Sequence, residues 1–153
     1  MNSPYLKKLC QGDILFAKGR PIKSMFLIRS GELGLFFEKE NHLVPYKKIT
    51  EKEFLGDAEI FSDKKWPWTA IVLSPTLEFL ELGQGEIHES LNACPVWARN
   101  LIQVLCERLL DTENVLEENK IMDDGANVIE LSKKHETLFW HKLLEYRQKF
   151  EGA

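Results

Sequence analysis

From Gly12 to Leu82 the chain runs in short apolar stretches broken by turn residues, with a period close to two. "DILFAKG" reads as a strand ending at Gly19, and "SMFLIRSGELGLFFEK" as two strands about the turn Ser30-Gly31-Glu32. In that pair Phe26 and Ile28, then Leu33, Leu35 and Phe37, alternate as the two faces of a half-buried strand require. "LVPYKKI" and "WTAIVLS" follow as further strands. In "TLEFLELG" Leu80 and Leu82 join Leu77 and Phe79, which predicts a strand buried on more than one side. Many short strands at close spacing predict an antiparallel sandwich or barrel.

After Gly85 the period changes to that of a helix. A short helix is predicted up to Pro95, then a long one whose Ile102, Leu105, Leu109, Thr112 and Leu116 fall three and four apart. That seam, about two heptads long, fits either packing on the chain's own β-core or pairing with a second copy. "MDDGAN" breaks the pattern at Asp123-Asp124-Gly125, so the chain divides into residues 1–122 and an appended helical segment, 123–153. The last helix is expected over about 129–150. Phe139, Leu143, Tyr146 and Phe150 form its apolar stripe, which Leu138, Trp140 and Leu144 widen. The stripe is expected to pack back on the strands, pair with a second chain, or dock on another protein.

Composition changes this picture mainly by exclusion. At 153 residues the length fits one domain with a real core, and 44% apolar with 29% charged residues is ordinary for a globular chain. A net charge of -4 gives no general pull toward nucleic acid or an anionic membrane. No apolar run approaches the roughly 18 residues of a membrane span. The opening "MNSPYLKKLCQGD" has no apolar region of a signal peptide. Cys10, Cys94 and Cys106 lack metal-ligand spacing and fit reduced thiols in a cytoplasm. His135 and His141 stand six apart, which does not place them on one helical face, and nucleophile, phosphate-loop and dinucleotide fingerprints are missing. No catalytic residue, metal ligand or enzymatic activity is therefore expected.

The glycines and the order of elements carry a resemblance. "GDILFAKGRPIKSMFLIRSGELGLF" is similar to the opening of cyclic nucleotide-binding domains, with the family's glycines at Gly12, Gly19 and Gly31. "FLGDAEIF" sits where the family's phosphate cassette begins, and "ACPVWARNLIQVLCERLL" resembles its second and third helices, with the Arg-Leu pair at Arg108-Leu109. The similarity runs over roughly residues 9–116. It implies an α+β fold: an antiparallel, jelly-roll-like β-roll flanked by helices, as in the sensor half of the bacterial catabolite activator family. In this chain a long helix and one appended C-terminal helix follow the roll.

The resemblance also implies ligand positions at Gly56, Asp57, Ala58, Trp68, Thr69, Ala70 and Thr112. In the family, backbone N–H groups at a short helix start hold the cyclic phosphate, where the dipole favours an anion. An acid takes the ribose hydroxyl, and Asp57 stands there, one methylene shorter than the family's usual glutamate. The family's arginine makes charge-assisted bonds to the phosphate. Its place is taken by Trp68, which offers one donor and no charge, and the cassette's small apolar position by Glu59. Both changes oppose an anion. Trp66 and Trp68 remain as core fillers of a vacant pocket or as stacking platforms for a base, and Lys64 and Lys65 as inward-swinging cations or a solvated turn. Thr112 either touches a purine or bonds its own helix.

The resulting expectation is a non-enzymatic regulatory or protein-interaction module of a bacterial cytoplasm, without cofactor, unable to take cyclic AMP in the usual way. The alternative is a cytoplasmic sensor for a cyclic nucleotide or related ligand that signals through its C-terminal helices. Family transcription factors carry a helix-turn-helix domain after the long helix. Only about thirty residues follow Gly125 here, without a basic stripe, so neither DNA nor membrane binding is expected. The expected partner is another protein, or a second copy met through Leu105 and Leu109, with Phe139, Leu143, Tyr146 and Phe150 as a further partner surface.

Overall fold

The structure, a computed structural model, describes residues 5–118 and 129–152. The alternating runs form strands β1 (Leu6–Cys10), β2 (Ile14–Phe16), β3 (Ser24–Ser30), β4 (Leu33–Lys39), β5 (His42–Ile49), β6 (Phe54–Leu55), β7 (Thr69–Val72) and β8 (Thr76–Gly83). Helices α1 (Gln84–Asn92), α2 (Val96–Glu118) and α3 (Lys133–Glu151) follow. The strands make two four-stranded antiparallel sheets, ordered β1-β8-β3-β6 and β2-β7-β4-β5. This is the expected β-roll with flanking helices.

Phe26 and Ile28 of β3, Leu33 and Leu35 of β4, and Leu77 and Phe79 of β8 meet in one core between the sheets. The β3–β4 turn needs its glycine. Gly31 has φ +95°, and a Cβ there would stand 2.4 Å from the Thr76 carbonyl oxygen. The β4–β5 hairpin instead turns on two non-glycine residues of positive φ, Glu40 and Asn41, as a tight twisted hairpin requires. Leu80 and Leu82 are only half-buried, so β8 is closed on its inner face and partly covered on the other.

A second cluster lies on the outer face of the β2-β7-β4-β5 sheet. Ala17, Phe36, Leu43 and Ile71 pack there against Phe139 and Leu143 of α3. Lys142 Nζ donates to Asp13 Oδ1 and to the Gln11 carbonyl, both at 3.2 Å, pinning the helix at a second point. α3 starts at Lys133 rather than near 129, because Ser132 caps it by accepting the His135 amide at 3.3 Å. The expected boundary at 122/123 and the Asp123-Asp124-Gly125 break fall outside the described residues.

α2 is different. None of its described residues is buried. Ile102, Cys106 and Leu110 face α1 and Phe61 across a groove, while Trp97, Leu101, Leu105 and Leu109 stand in water. The reading of α2 as packed on the β-core gives way to a helix whose apolar seam is bare in the single chain.

Candidate functional site

β6 delivers the chain to Gly56, which has φ +80°. Asp57 and Ala58 follow, then a single 3-10 turn, Glu59–Phe61. The Ile60 amide bonds the Gly56 carbonyl at 3.0 Å, and Ser62 closes the turn on the Glu59 carbonyl through its amide (2.9 Å) and hydroxyl (2.7 Å). Asp57 is exposed and Ala58 buried. The loop then runs antiparallel to residues 19–22. Trp66 N–H donates to the Arg20 carbonyl at 2.9 Å, and the Gly19 amide returns to the Trp66 carbonyl at 2.8 Å.

This strap turns the Trp66 indole into the core, 4% exposed. It stacks on Phe16 with centroids 3.8 Å apart and planes 10° from parallel. A Cβ on Gly56 would lie 2.7 Å from the indole, so only glycine lets the ring come this close. Trp68 packs at the edge of the same core, its ring centroid 6.2 Å from that of Trp66. It is half-buried, stacked on Tyr46 at 5.8 Å, and walls an open cleft of about 220 Å³ with Ile22, Glu59, Lys64 and Lys65. Lys64 and Lys65 are exposed, and Lys64 Nζ reaches Asn114 Oδ1 of α2 at 3.2 Å.

The cleft's charge is mixed. Burial raises the Glu59 pKa above its ordinary value of 4.5 and the Asp57 charge adds to this, against backbone hydrogen bonds and Lys64, which lower it. Burial also raises the Cys106 thiol, with Asp57, Glu59 and Glu107 acting in the same direction. A thiol so placed is a poor nucleophile. Among the described residues no group of His, Cys, Asp and Glu is arranged to hold a metal.

The residues expected at the site are only partly brought together. Trp68 walls the cleft, whereas Gly56, Asp57 and Ala58 lie just before its Glu59 and do not line it, Gly56 and Ala58 being buried. Thr69, fully buried, faces the outer side of the sheet: its hydroxyl donates to Glu38 and accepts the Lys18 amide at 3.0 Å. Ala70 is core, paired with Leu35 and Phe16. Thr112 is exposed and donates to the Arg108 carbonyl at 2.8 Å, bonding its own helix. Leu105 and Leu109 are exposed, whereas Phe139 and Leu143 are buried against the chain's own sheet and so are closed to a partner. Tyr146 is half-buried against Phe150, which is exposed. Glu38, Arg147 and Tyr46 carry no signal in the sequence. Tyr46 reaches the cleft wall by stacking on Trp68, while Glu38 and Arg147 reach Thr69 on the sheet's outer face.

A sequence profile described as the cyclic nucleotide-binding domain matches residues 6–93. No curated protein matches the chain significantly. Solved structures do. The N-terminal domain of a transcriptional regulator from Streptomyces coelicolor A3(2) superposes with TM-score 0.59 at 20% identity, over 78% of this chain and 81% of that one. A transcriptional regulator from Thermotoga maritima gives 0.59 at 16% identity, over 74% and 86%. The cGMP-bound EAL enzyme Bd1971 gives 0.55 at 17% identity, over 76% of this chain and 31% of that one, so the chain spans about a third of that enzyme's length. At these identities the superpositions speak for the fold, and together with the profile match they establish that the chain belongs to the cyclic nucleotide-binding domain family.

Proposed function

We propose that the chain is a non-enzymatic regulatory or protein-interaction module that does not hold a cyclic nucleotide in its family's usual way. The observation that carries this reading is the Trp66 indole, buried on Phe16 and packed against Gly56; in this reading the ring takes the space a phosphate would need beside the cassette's backbone. Three further features agree with it. Trp68 brings no charge where the family's arginine stands, the Thr69 hydroxyl is engaged on the far face of the sheet, and Glu59 adds an acid at the cleft. Loss of one charged partner of a buried anion costs about 2–5 kcal/mol, or roughly 30- to 4,000-fold in affinity.

The output surface in this reading is α2, whose exposed leucines suit a second copy of the chain. The three unpaired cysteines fit a reducing cytoplasm, and the bacterial sources of the two regulators suggest a bacterial setting. Titration calorimetry with cyclic AMP and cyclic GMP tests the reading, with no heat of binding as the expected result. A dissociation constant of about a micromolar or tighter would overturn it and make the chain a nucleotide sensor. Trp68→Arg alone should gain little while Trp66 stays in place, and Trp66→Ala with Trp68→Arg should gain more.

A further inference from the structure

Glu38, near the end of β4, is shared by two elements far apart in sequence. Arg147 of α3 donates from Nη2 to both of its carboxylate oxygens at 2.9 Å. Thr69 donates its hydroxyl to the same carboxylate and accepts the Lys18 amide at 3.0 Å. Thr69 follows Trp68 directly and opens β7. Lys18 precedes Gly19, whose amide holds the Trp66 carbonyl at 2.8 Å. Polar contacts, joined by the peptide links Lys18–Gly19 and Trp68–Thr69, thus connect α3 to both ends of the turn that carries the two tryptophans.

The burial of the parts gives this path consequence. Thr69 is 0% exposed, and the Glu38 side chain 15%. A buried hydroxyl that loses its acceptor pays the full cost of desolvation, so a shift of the carboxylate would draw Thr69 toward another rotamer rather than leave its proton unpaired. Arg147, with two bonds to one carboxylate, fixes that carboxylate in place more firmly than a single contact would. Of the other polar anchors of α3, Lys142 bonds Asp13 and Gln11 and lies off this path, whereas Arg20, whose carbonyl takes the Trp66 amide, donates from Nη1 to the Phe150 carbonyl at 3.3 Å and adds a second, more exposed link to the same turn.

We propose that α3 is a strap that holds the Trp66-Pro67-Trp68 turn closed over Gly56, with Arg147 and Glu38 as positioning residues acting through Thr69. Displacement of α3 then loosens the cassette without any ligand entering it. The proposal rests on the reading of that turn as closed, but its test does not involve nucleotide, so either can fail alone.

Amide hydrogen exchange by NMR on the full chain reads the path at Lys18, Gly19 and Trp66. Arg147→Met should speed exchange there by about ten- to a hundredfold, the range of a lost hydrogen bond to a charged group. Arg147→Lys, which keeps the charge but not the planar guanidinium, should fall between and decides the matter if the methionine variant does not fold. Lys142→Met should leave these amides at wild-type rates. In a Thr69→Val background, Arg147→Met should add nothing. Unchanged amides in both Arg147 variants would overturn the proposal. So would equal acceleration by Lys142→Met, or an undiminished effect of Arg147→Met without the Thr69 hydroxyl.

Discussion

Trp66 and Trp68 stand two apart in one turn, yet one is buried inside the core and the other only half-buried at its edge, where it walls a cleft. Nothing local separates them, because an irregular turn has no period that assigns a side. What decides is the hydrogen bonding of Trp66 to Arg20 and Gly19, which strand pairing creates and the sequence does not display. Trp66→Ala should lower stability by about 3–5 kcal/mol, as for other buried aromatic rings cut back to Ala. A urea titration with a change under about 1 kcal/mol would mean that the ring is not packed as described. Glu59 makes a prediction of opposite sign. Its folded pKa lies above the unfolded one, so the folded chain binds the proton more tightly. The group's contribution is whole below about pH 4.5 and is lost as pH rises through the folded value. Glu59→Gln should therefore melt higher than wild type above that window, and the two should converge below it. A lower melting temperature for the variant at neutral pH would show that the Lys64 attraction outweighs burial.

At the scale of elements, much of the roll is legible in the sequence. The alternation of β3 and β4 and the Gly31 turn are readable because a half-buried strand must alternate and a turn of positive φ needs glycine. β1 was not readable. "LKKLC" has two lysines at its centre, as suits an edge strand, and only its pairing with β8 identifies it. β6, with two residues, is too short to carry any period. For α3 the apolar stripe was readable, but a stripe states only that something covers it. That the cover is the chain's own sheet depends on Phe36 and Ile71 facing outward, which follows from register in β4 and β7. The Glu38–Thr69–Arg147 contacts have no sequence signal, since their members lie far apart in the chain. The packing of α3 has a measurable weight: Phe139→Ala should cost about 3–5 kcal/mol, while Phe150→Ala, at an exposed position, should stay within about 0.5 kcal/mol. Equal losses at the two positions in chemical denaturation would contradict the packing described.

For the molecule as a whole, α2 sets the behaviour. Trp97, Leu101, Leu105 and Leu109, at 70%, 51%, 52% and 42% exposure, leave an apolar strip on a chain whose β-core is otherwise closed. Two copies meeting along this strip across a two-fold axis would cover it. Light scattering should give a dimer for wild type and a monomer for Leu109→Glu, which sets like charges against each other in an apolar contact. A wild-type monomer at high concentration would instead assign the strip to a different protein. Pairing along the strip would also make stability a matter of mass action. If pairing occurs only between folded chains, each dilution draws the equilibrium toward separated and then unfolded chains, and the melting temperature falls with protein concentration. Such a chain has no single melting temperature of its own, and its level in the cell helps decide how much of it is folded.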